Sequence, residues 1–323
     1  MAEIRLLSWN IQVYGPRKYS NANNTALARF VGAVARAAFP GQGPTLITVM
    51  EIMSTVNEQV SFSISDAIGE RGWNRHTLQA RANGNRESYA LFWADGANVE
   101  LLDYALAEEE FPNNFSPRKG RKAAVAVFRA TDTNTQFAVS TYHAPPNARA
   151  VTGLQQLARV PWLYAYGGAP VPARMLAGDF NLDGVIARDD YRPLTDAPPD
   201  GAGCVPITSR STLLVDGFAG EVDTWPTVPW DYARDDAGLD NIFYVPSIEK
   251  RATGGAMNVL EDLGDRGQVY TALGQFAPVF PHGDRFGGAN TTAPLMSQHL
   301  GYGFLAYRYA VSDHLPVRLR ITV

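Results

Sequence analysis

Five short polar islands interrupt strand-like apolar runs along this chain: Trp9-Asn10-Ile11, Met50-Glu51-Ile52, Ala177-Gly178-Asp179-Phe180-Asn181, Leu239-Asp240-Asn241-Ile242 and Ser312-Asp313-His314-Leu315-Pro316-Val317. A strand buried in a packed domain reads as an apolar run closed by turn signals. A carboxylate or amide at its end must therefore be hydrogen-bonded, metal-bound or catalytic. Together the five ends carry Asn, Glu, Asp with Asn, Asp, and Asp with His. Metal-assisted phosphodiester hydrolysis needs those parts: a hard cation on the phosphate oxygens, a group that orients or deprotonates water, and a donor for the leaving oxygen.

Magnesium suits such a set, because it takes oxygen ligands, keeps several waters and needs only one or two carboxylates, with manganese as a substitute. Glu51, at the end of the run Thr45–Met50, is the first candidate ligand, with Asn10 beside it. Asp179 and Asn181 sit two apart on a tight turn in which Gly178 lets the backbone approach closely. Their chemical reading is that Asp179 orients or deprotonates water while the Asn181 amide donates to the phosphate. An Asx-turn, which Asp and Asn form readily, is the other reading.

His143 ends the run Gln136–Tyr142 and enters the rigid loop Ala144-Pro145-Pro146-Asn147. A histidine used in phosphate chemistry needs a carboxylate to fix its tautomer. Candidates are Asp240 for His314 and Glu87 for His143, whereas His76, His282 and His299 have no such setting. Arg118, Lys119, Arg121 and Lys122 cluster around Gly120, with Arg75, Arg81 and Arg86 as an extension of the patch. A solvated charge run explains such a cluster, and so does contact with a phosphate backbone, which positions a polynucleotide without reading its sequence. Asn147 joins these cations as a candidate substrate contact.

Apolar runs predict strands at Ile4–Asn10, Thr45–Met50, Tyr89–Trp93, Val99–Leu106, Ala123–Ala130, Gln136–Tyr142, Ala173–Ala177, Leu213–Val215, Asn241–Val245 and Leu315–Val323. Three-and-four-residue periodicity predicts helices over Asn24–Phe39 and Thr55–Gly69, and a third from near Ala148 up to Pro161. Interspersed strands and helices imply a mixed-sheet α/β architecture. Asp183–Pro206 reads as loop with a short helix at Ala187–Tyr191. Pro246–Ala310 reads as an elaboration on the rim of the cleft, with a helical patch near Met257–Leu263. The polar islands run from Asn10 to His314, so residues 1–323 are expected to form one domain.

A formal charge of −4 gives no global basic field, although a metal site concentrates carboxylates that its cation offsets. One cysteine, Cys204, excludes an intrachain disulfide and reads as a small buried hydrophobe. No run approaches the ~18 apolar residues of a membrane span. Polar Glu3, Arg5 and Asn10 break up what would be the apolar core of a signal peptide. The expectation is a cytoplasmic protein, or one exported without a cleavable signal.

The ordered motifs resemble those of the endonuclease/exonuclease/phosphatase superfamily over nearly the whole chain. Gly-Asp-Phe-Asn at 178–181 and Ser-Asp-His-Leu-Pro-Val at 312–317 are the most specific elements. The resemblance implies a four-layer α/β sandwich of two facing mixed β-sheets with helices on the outside. It also implies magnesium-dependent attack of water on a phosphodiester. Asn10 and Glu51 would hold the metal region, Asp179 and Asn181 would act on water and phosphate, Asp313 would assist the metal or phosphate, and His314 would pair with Asp240. Glu87-Ser88-Tyr89 and Tyr142-His143-Ala144-Pro145 are similar to elements of the pancreatic-type deoxyribonuclease branch, with Arg121 where those nucleases place a phosphate-contacting arginine. DNA would then be the substrate and, for a delivered toxin, an inhibitor or immunity protein a partner. Departures are Ile52-Met53 after Glu51, Ala123 where that branch has Pro, and the length of 246–310. A phosphatase or phospholipase C-type hydrolase on a lipid or inositol headgroup is the rival enzyme reading. A non-catalytic binding module is the other.

Overall fold

The computed structural model describes residues 2–14, 21–68, 73–79, 87–107, 121–145, 149–182, 188–207, 239–245, 252–257, 312 and 314–323. In chain order its main elements are β1 (Glu3–Tyr14), α1 (Asn21–Ala38), β2 (Leu46–Met53), α2 (Asn57–Ala67), β3 (Trp73–Gln79), β4 (Glu87–Ala94), β5 (Val99–Leu106), β6 (Ala124–Ala130), β7 (Thr135–His143), α3 (Arg149–Leu157), the hairpin β8 (Ala165–Tyr166) and β9 (Ala169–Pro170), β10 (Ala173–Asp179), α4 (Arg192–Thr195), β11 (Val205–Pro206), β12 (Asp240–Tyr244), β13 (Ala252–Ala256) and β14 (Val317–Thr322). They form two six-stranded sheets, ordered β13-β14-β1-β2-β4-β3 and β11-β12-β10-β7-β6-β5.

Strand alternation builds the layers. Along β1, Ile4 and Leu6 face one side and Leu7, Trp9 and Ile11 the other. Along β10, Met175 and Ala177 face one side and Leu176 the other. The buried apolar residues accordingly fall into three clusters. One joins the outer face of the first sheet to α1 and α2 through Val31, Val34, Val60 and Ile64. A second fills the space between the sheets with Leu6, Leu91, Phe128, Val139, Met175 and Leu319. The third lies between the second sheet and α3 and α4, with Leu154, Leu157 and Leu194. Three inter-layer cores mean four layers, with helices outside.

Two predicted intervals change. The stretch Pro246–Ala310 is not wholly an elaboration, because Ala252–Ala256 forms edge strand β13, paired antiparallel with β14. Its sequence, Ala-Thr-Gly-Gly-Ala, has no apolar alternation, which hid it. Strand β3 was missed for the same reason: Trp-Asn-Arg-His-Thr-Leu-Gln occupies the opposite edge of that sheet, where one neighbour suffices. The short helix expected at Ala187–Tyr191 is a 3-10 turn over Arg188–Tyr191 followed by α4. The strand at Leu213–Val215 and nearly all of the patch Met257–Leu263 lie outside the described residues. Among the described residues no helix is long and apolar enough to cross a membrane.

Candidate active site

The inward-facing row of each central strand turns from apolar to polar at the same end of the sandwich. On β1 the row Ile4, Leu6, Ser8 reaches Asn10; on β4 it runs back from Leu91 and Tyr89 to Glu87. On β7 Phe137, Val139 and Thr141 lead to His143, and on β10 Met175 and Ala177 lead to Asp179. Register then sets the neighbours. Within the second sheet Asp179 lies opposite His143 on parallel β7 and opposite Asp240 on antiparallel β12. Antiparallel pairing of Ser8 with Val317 brings the C-terminal segment, and with it His314, beside β1.

Glu51 arrives by a different device. Strict alternation would send it toward α1 and α2, since Ile47 and Val49 face that layer and Met50 faces inward. Between Val49 and Ile52, however, β2 carries one residue more than β4 between Ala90 and Ser88, and Glu51 has φ 60. This bulge re-aims the carboxylate into the cleft, in a left-handed conformation costly for a residue with a Cβ. Asn181, with φ 52, is the second such residue at the site. Its N–H donates to Asp179 Oδ1 at 2.9 Å, which is an Asx-turn, and its Nδ2 donates to Ala144 O at 2.7 Å. The turn and the chemical candidate are thus the same residues.

Two histidine–carboxylate pairs flank Asp179. Glu87 Oε1 meets His143 Nδ1 in a short hydrogen bond, and Asp240 Oδ2 meets His314 Nδ1 at 2.6 Å. With Nδ1 engaged, each ring presents Nε2 to the cleft. Asp179 Oδ2 lies 3.5 Å from that atom of His143 and 3.7 Å from that of His314. Asn10 Nδ2 donates at 3.0 Å to both Asp179 Oδ2 and Glu51 Oε1, and Glu51 Oε1 is 3.5 Å from His143 Nε2. Asn10, Glu87, His143, Asp179, Asp240 and His314 are all buried. Burial of so many ionisable groups in one place is costly unless they compensate one another.

The electrostatics show that compensation. Burial alone would push the Asp179 carboxyl up, but His314, His143, the Asn181 N–H and the Asn10 amide hold it below the usual carboxylate value. Burial would likewise lower His143, yet the Glu87 hydrogen bond and the charges of Asp179, Glu87 and Glu51 raise it above an ordinary imidazole.

Further side chains hold these in place, and no sequence signal marked their roles. Tyr89 OH donates to Lys122 O at 2.8 Å and accepts from the His143 N–H at 3.1 Å, bridging the sheets. Ser312 Oγ donates to Asn10 O at 2.6 Å and accepts from the His314 N–H at 3.0 Å. Trp9 Nε1 donates to His314 O at 3.2 Å. Only adjacency to Glu87 for Tyr89, and to Asp313 and His314 for Ser312, could have hinted at them.

Lys122 is buried, and Arg121 is turned toward Glu87 and Ala144. The Arg75 guanidinium stacks 4.9 Å from the Phe62 ring centroid, and its strand position is opposite Phe92, not beside Glu87. Arg118, Lys119, Asn147, Asp313, Arg81 and Arg86 lie outside the described residues.

Two groups of three residues, Glu51, Glu87, His143 and Asp179, Asp240, His314, each bring ligand atoms within 4.8 Å of one another. With each Nδ1 engaged by its own carboxylate, the donors that converge at the cleft are the oxygens of Glu51 and Asp179 and the two Nε2 atoms. The carboxylate oxygens suit a hard cation of the magnesium or manganese type.

No family model and no curated protein sequence matches the chain. Solved structures do resemble it. An endonuclease/exonuclease/phosphatase from Bacteroides vulgatus is 13% identical with a TM-score of 0.56, covering 100% of both chains. A truncated Caenorhabditis elegans TDP2 is 10% identical with a TM-score of 0.54, covering 99% of this chain and 98% of the other. The mannosyl-6-phosphatase Bt3783 of Bacteroides thetaiotaomicron is 11% identical with a TM-score of 0.52, covering 99% and 100%. At these identities the likeness is one of fold, and that fold is the endonuclease/exonuclease/phosphatase α/β sandwich.

Proposed function

We propose that this protein is a magnesium-dependent phosphodiesterase that hydrolyses DNA with little sequence preference, as in the deoxyribonuclease branch of the fold, leaving 3′-hydroxyl and 5′-phosphate ends. The observation that carries the reading is the position of Asp179 between two imidazoles, each with Nδ1 held by its own acid. Such an arrangement serves a reaction in which water must be oriented and charge on phosphate oxygens must be met at one point. Neighbours described as an endonuclease/exonuclease/phosphatase and a mannosyl-6-phosphatase support phosphoester chemistry.

Glu51, with Asn10 and with Asp313 beyond the described residues, would hold the cation, which neutralises phosphate oxygens when bound. Asp179 orients the attacking water, and His314 Nε2, 3.7 Å from Asp179 Oδ2, receives its proton. Asp240 keeps that ring in the tautomer that can accept. His143, protonated on both ring nitrogens with Glu87 on Nδ1, gives its Nε2 proton to the leaving 3′-oxygen as the P–O3′ bond breaks and the water oxygen bonds to phosphorus. The Asn181 amide, with one N–H on Ala144 O, directs the other to the phosphate.

A second reading, a sugar phosphatase, is favoured by the likeness to mannosyl-6-phosphatase and by the inward orientation of Arg121 and Lys122. The test is purified protein with supercoiled plasmid, mannose 6-phosphate and sphingomyelin in parallel, in magnesium and in chelator. Metal-dependent nicking is the expected result. Intact plasmid with phosphate or choline phosphate released from the others would transfer the site to that substrate.

A further inference from the structure

Arg121 resembles a phosphate-contacting arginine by sequence, but its surroundings give it another task. Its side chain is 16% exposed, with Nε 3.4 Å from Glu87 Oε2. Glu87 uses its other oxygen, Oε1, on His143 Nδ1. At the same time Arg121 Nη1 donates at 2.9 Å to Ala144 O, the carbonyl that also accepts from Asn181 Nδ2 at 2.7 Å. Ala144 follows His143 directly, and its N–H donates to Asp179 O at 2.8 Å. One guanidinium therefore braces the acid behind His143 and the carbonyl that orients Asn181.

We propose that Arg121 is a positioning residue for the catalytic centre, acting through Glu87 on His143 and through Ala144 on Asn181, and not a tether for the DNA backbone. This rests on the phosphodiesterase reading above. The guanidinium meets Ala144 O through a hydrogen bond and Glu87 Oε2 through charge, its Nε making no hydrogen bond at 3.4 Å, and a lysine ammonium on a flexible stem holds both positions poorly. The ion pair with Glu87 Oε2 leaves Oε1 committed to Nδ1, and this fixes the ring tautomer that sends Nε2 to the cleft. Loss of the Arg121 contact to Ala144 O would loosen the carbonyl against which Asn181 is set.

The experiment compares wild type with Arg121→Ala, Arg121→Lys and Arg121→Gln on plasmid DNA and on bis(p-nitrophenyl) phosphate, a diester too small to reach any backbone contact. A positioning role predicts that Arg121→Ala lowers kcat by about 10–100-fold on both substrates with KM little changed. Lys, which keeps the charge, and Gln, whose amide nitrogen takes the place of Arg121 Nε beside Glu87 but falls short of Ala144 O, each recover part of it. A rise in plasmid KM alone, with the small diester hydrolysed at the wild-type rate, would make Arg121 a backbone contact and overturn the inference.

The ring ¹⁵N pattern of His143 provides a readout independent of turnover. In its neutral form the wild-type ring shows the single tautomer protonated at Nδ1, and that of Arg121→Ala shows a mixture. An unchanged pattern in Arg121→Ala overturns the inference even if the enzyme proves inactive on every diester. Such inactivity in wild type would defeat the phosphodiesterase reading separately.

Discussion

Ser312 Oγ donates a 2.6 Å hydrogen bond to the carbonyl oxygen of Asn10, joining two residues 302 positions apart. The same hydroxyl accepts from the His314 N–H at 3.0 Å, so one side chain fixes the C-terminal histidine against the end of β1. Ser312→Ala leaves the Asn10 carbonyl and the His314 N–H buried without this partner. The expected cost is about 1–3 kcal/mol in urea unfolding, together with reduced turnover. Ser312→Thr, which keeps the hydroxyl, should recover part of both. An Ala variant of wild-type stability would show the bridge to be dispensable.

Glu51 reaches the cleft only through a left-handed bulge. Glu51→Ala and Glu51→Gly both remove the carboxylate, so calorimetric titration with magnesium should show weakened binding in each. Their stabilities should differ, because glycine adopts this φ without a Cβ penalty. In metal-free protein the Gly variant is expected to be the more stable by about 1 kcal/mol. The reverse order in thermal unfolding would contradict the bulge.

Gly178 immediately precedes Asp179, and a Cβ there would lie 1.9 Å from the carbonyl oxygen of Tyr142 on β7. Backbone cannot yield as a side chain can, so Gly178→Ala must push β10 away from β7. Destabilisation at or above the upper end of the usual 1–3 kcal/mol for overpacking is expected, as is loss of the Asp179–His143 relationship. Chemical denaturation measures the first, and a near-wild-type midpoint would refute the close approach.

Cys204 supplies a pH test remote from the site. Burial, only partly opposed by Arg174, pushes its thiol up to about 12. An unfolded chain releases that proton near pH ~8.5. The folded state thus keeps a proton that the unfolded state loses, and stability present below about pH 8.5 is lost as pH rises toward 12, by up to about 1.4 kcal/mol per pH unit. Wild type should lose more stability than Cys204→Ala between pH 8 and pH 10, as read by urea unfolding. Parallel losses in the two proteins would contradict the burial of the thiol.

Much of the sandwich was legible because its central strands bury both faces. Runs such as Ala-Val-Ala-Val-Phe in β6 and Leu-Ile-Thr-Val-Met in β2 announce themselves, and a polar residue at the end of such a run stands out. Edge strands β3 and β13 did not, since one neighbour and a partly exposed face demand no apolar alternation. Asn10, Glu51, Asp179, Asp240 and His314 were visible as candidates for the same reason as the runs they end. How they meet was not visible, because it depends on register: Asp179 opposite both His143 and Asp240 is a property of sheet order. The left-handed turn at Glu51 was hidden because glutamate carries no preference for it. Arg121 reads in sequence as one of four clustered cations and, by resemblance, as a phosphate contact, because a charge cluster in sequence does not reveal which guanidinium folds inward.

The most direct measurement is the initial rate of plasmid nicking in magnesium for wild type, His143→Ala and Asp179→Ala, with a chelator control. The account predicts nicking by wild type that chelator abolishes. It also predicts rates lowered by about 10²–10⁴-fold in both variants, with their folded spectra unchanged. Nicking that survives chelation, or that proceeds at wild-type rate in the folded variants, would contradict the assignment of this cleft to phosphodiester hydrolysis.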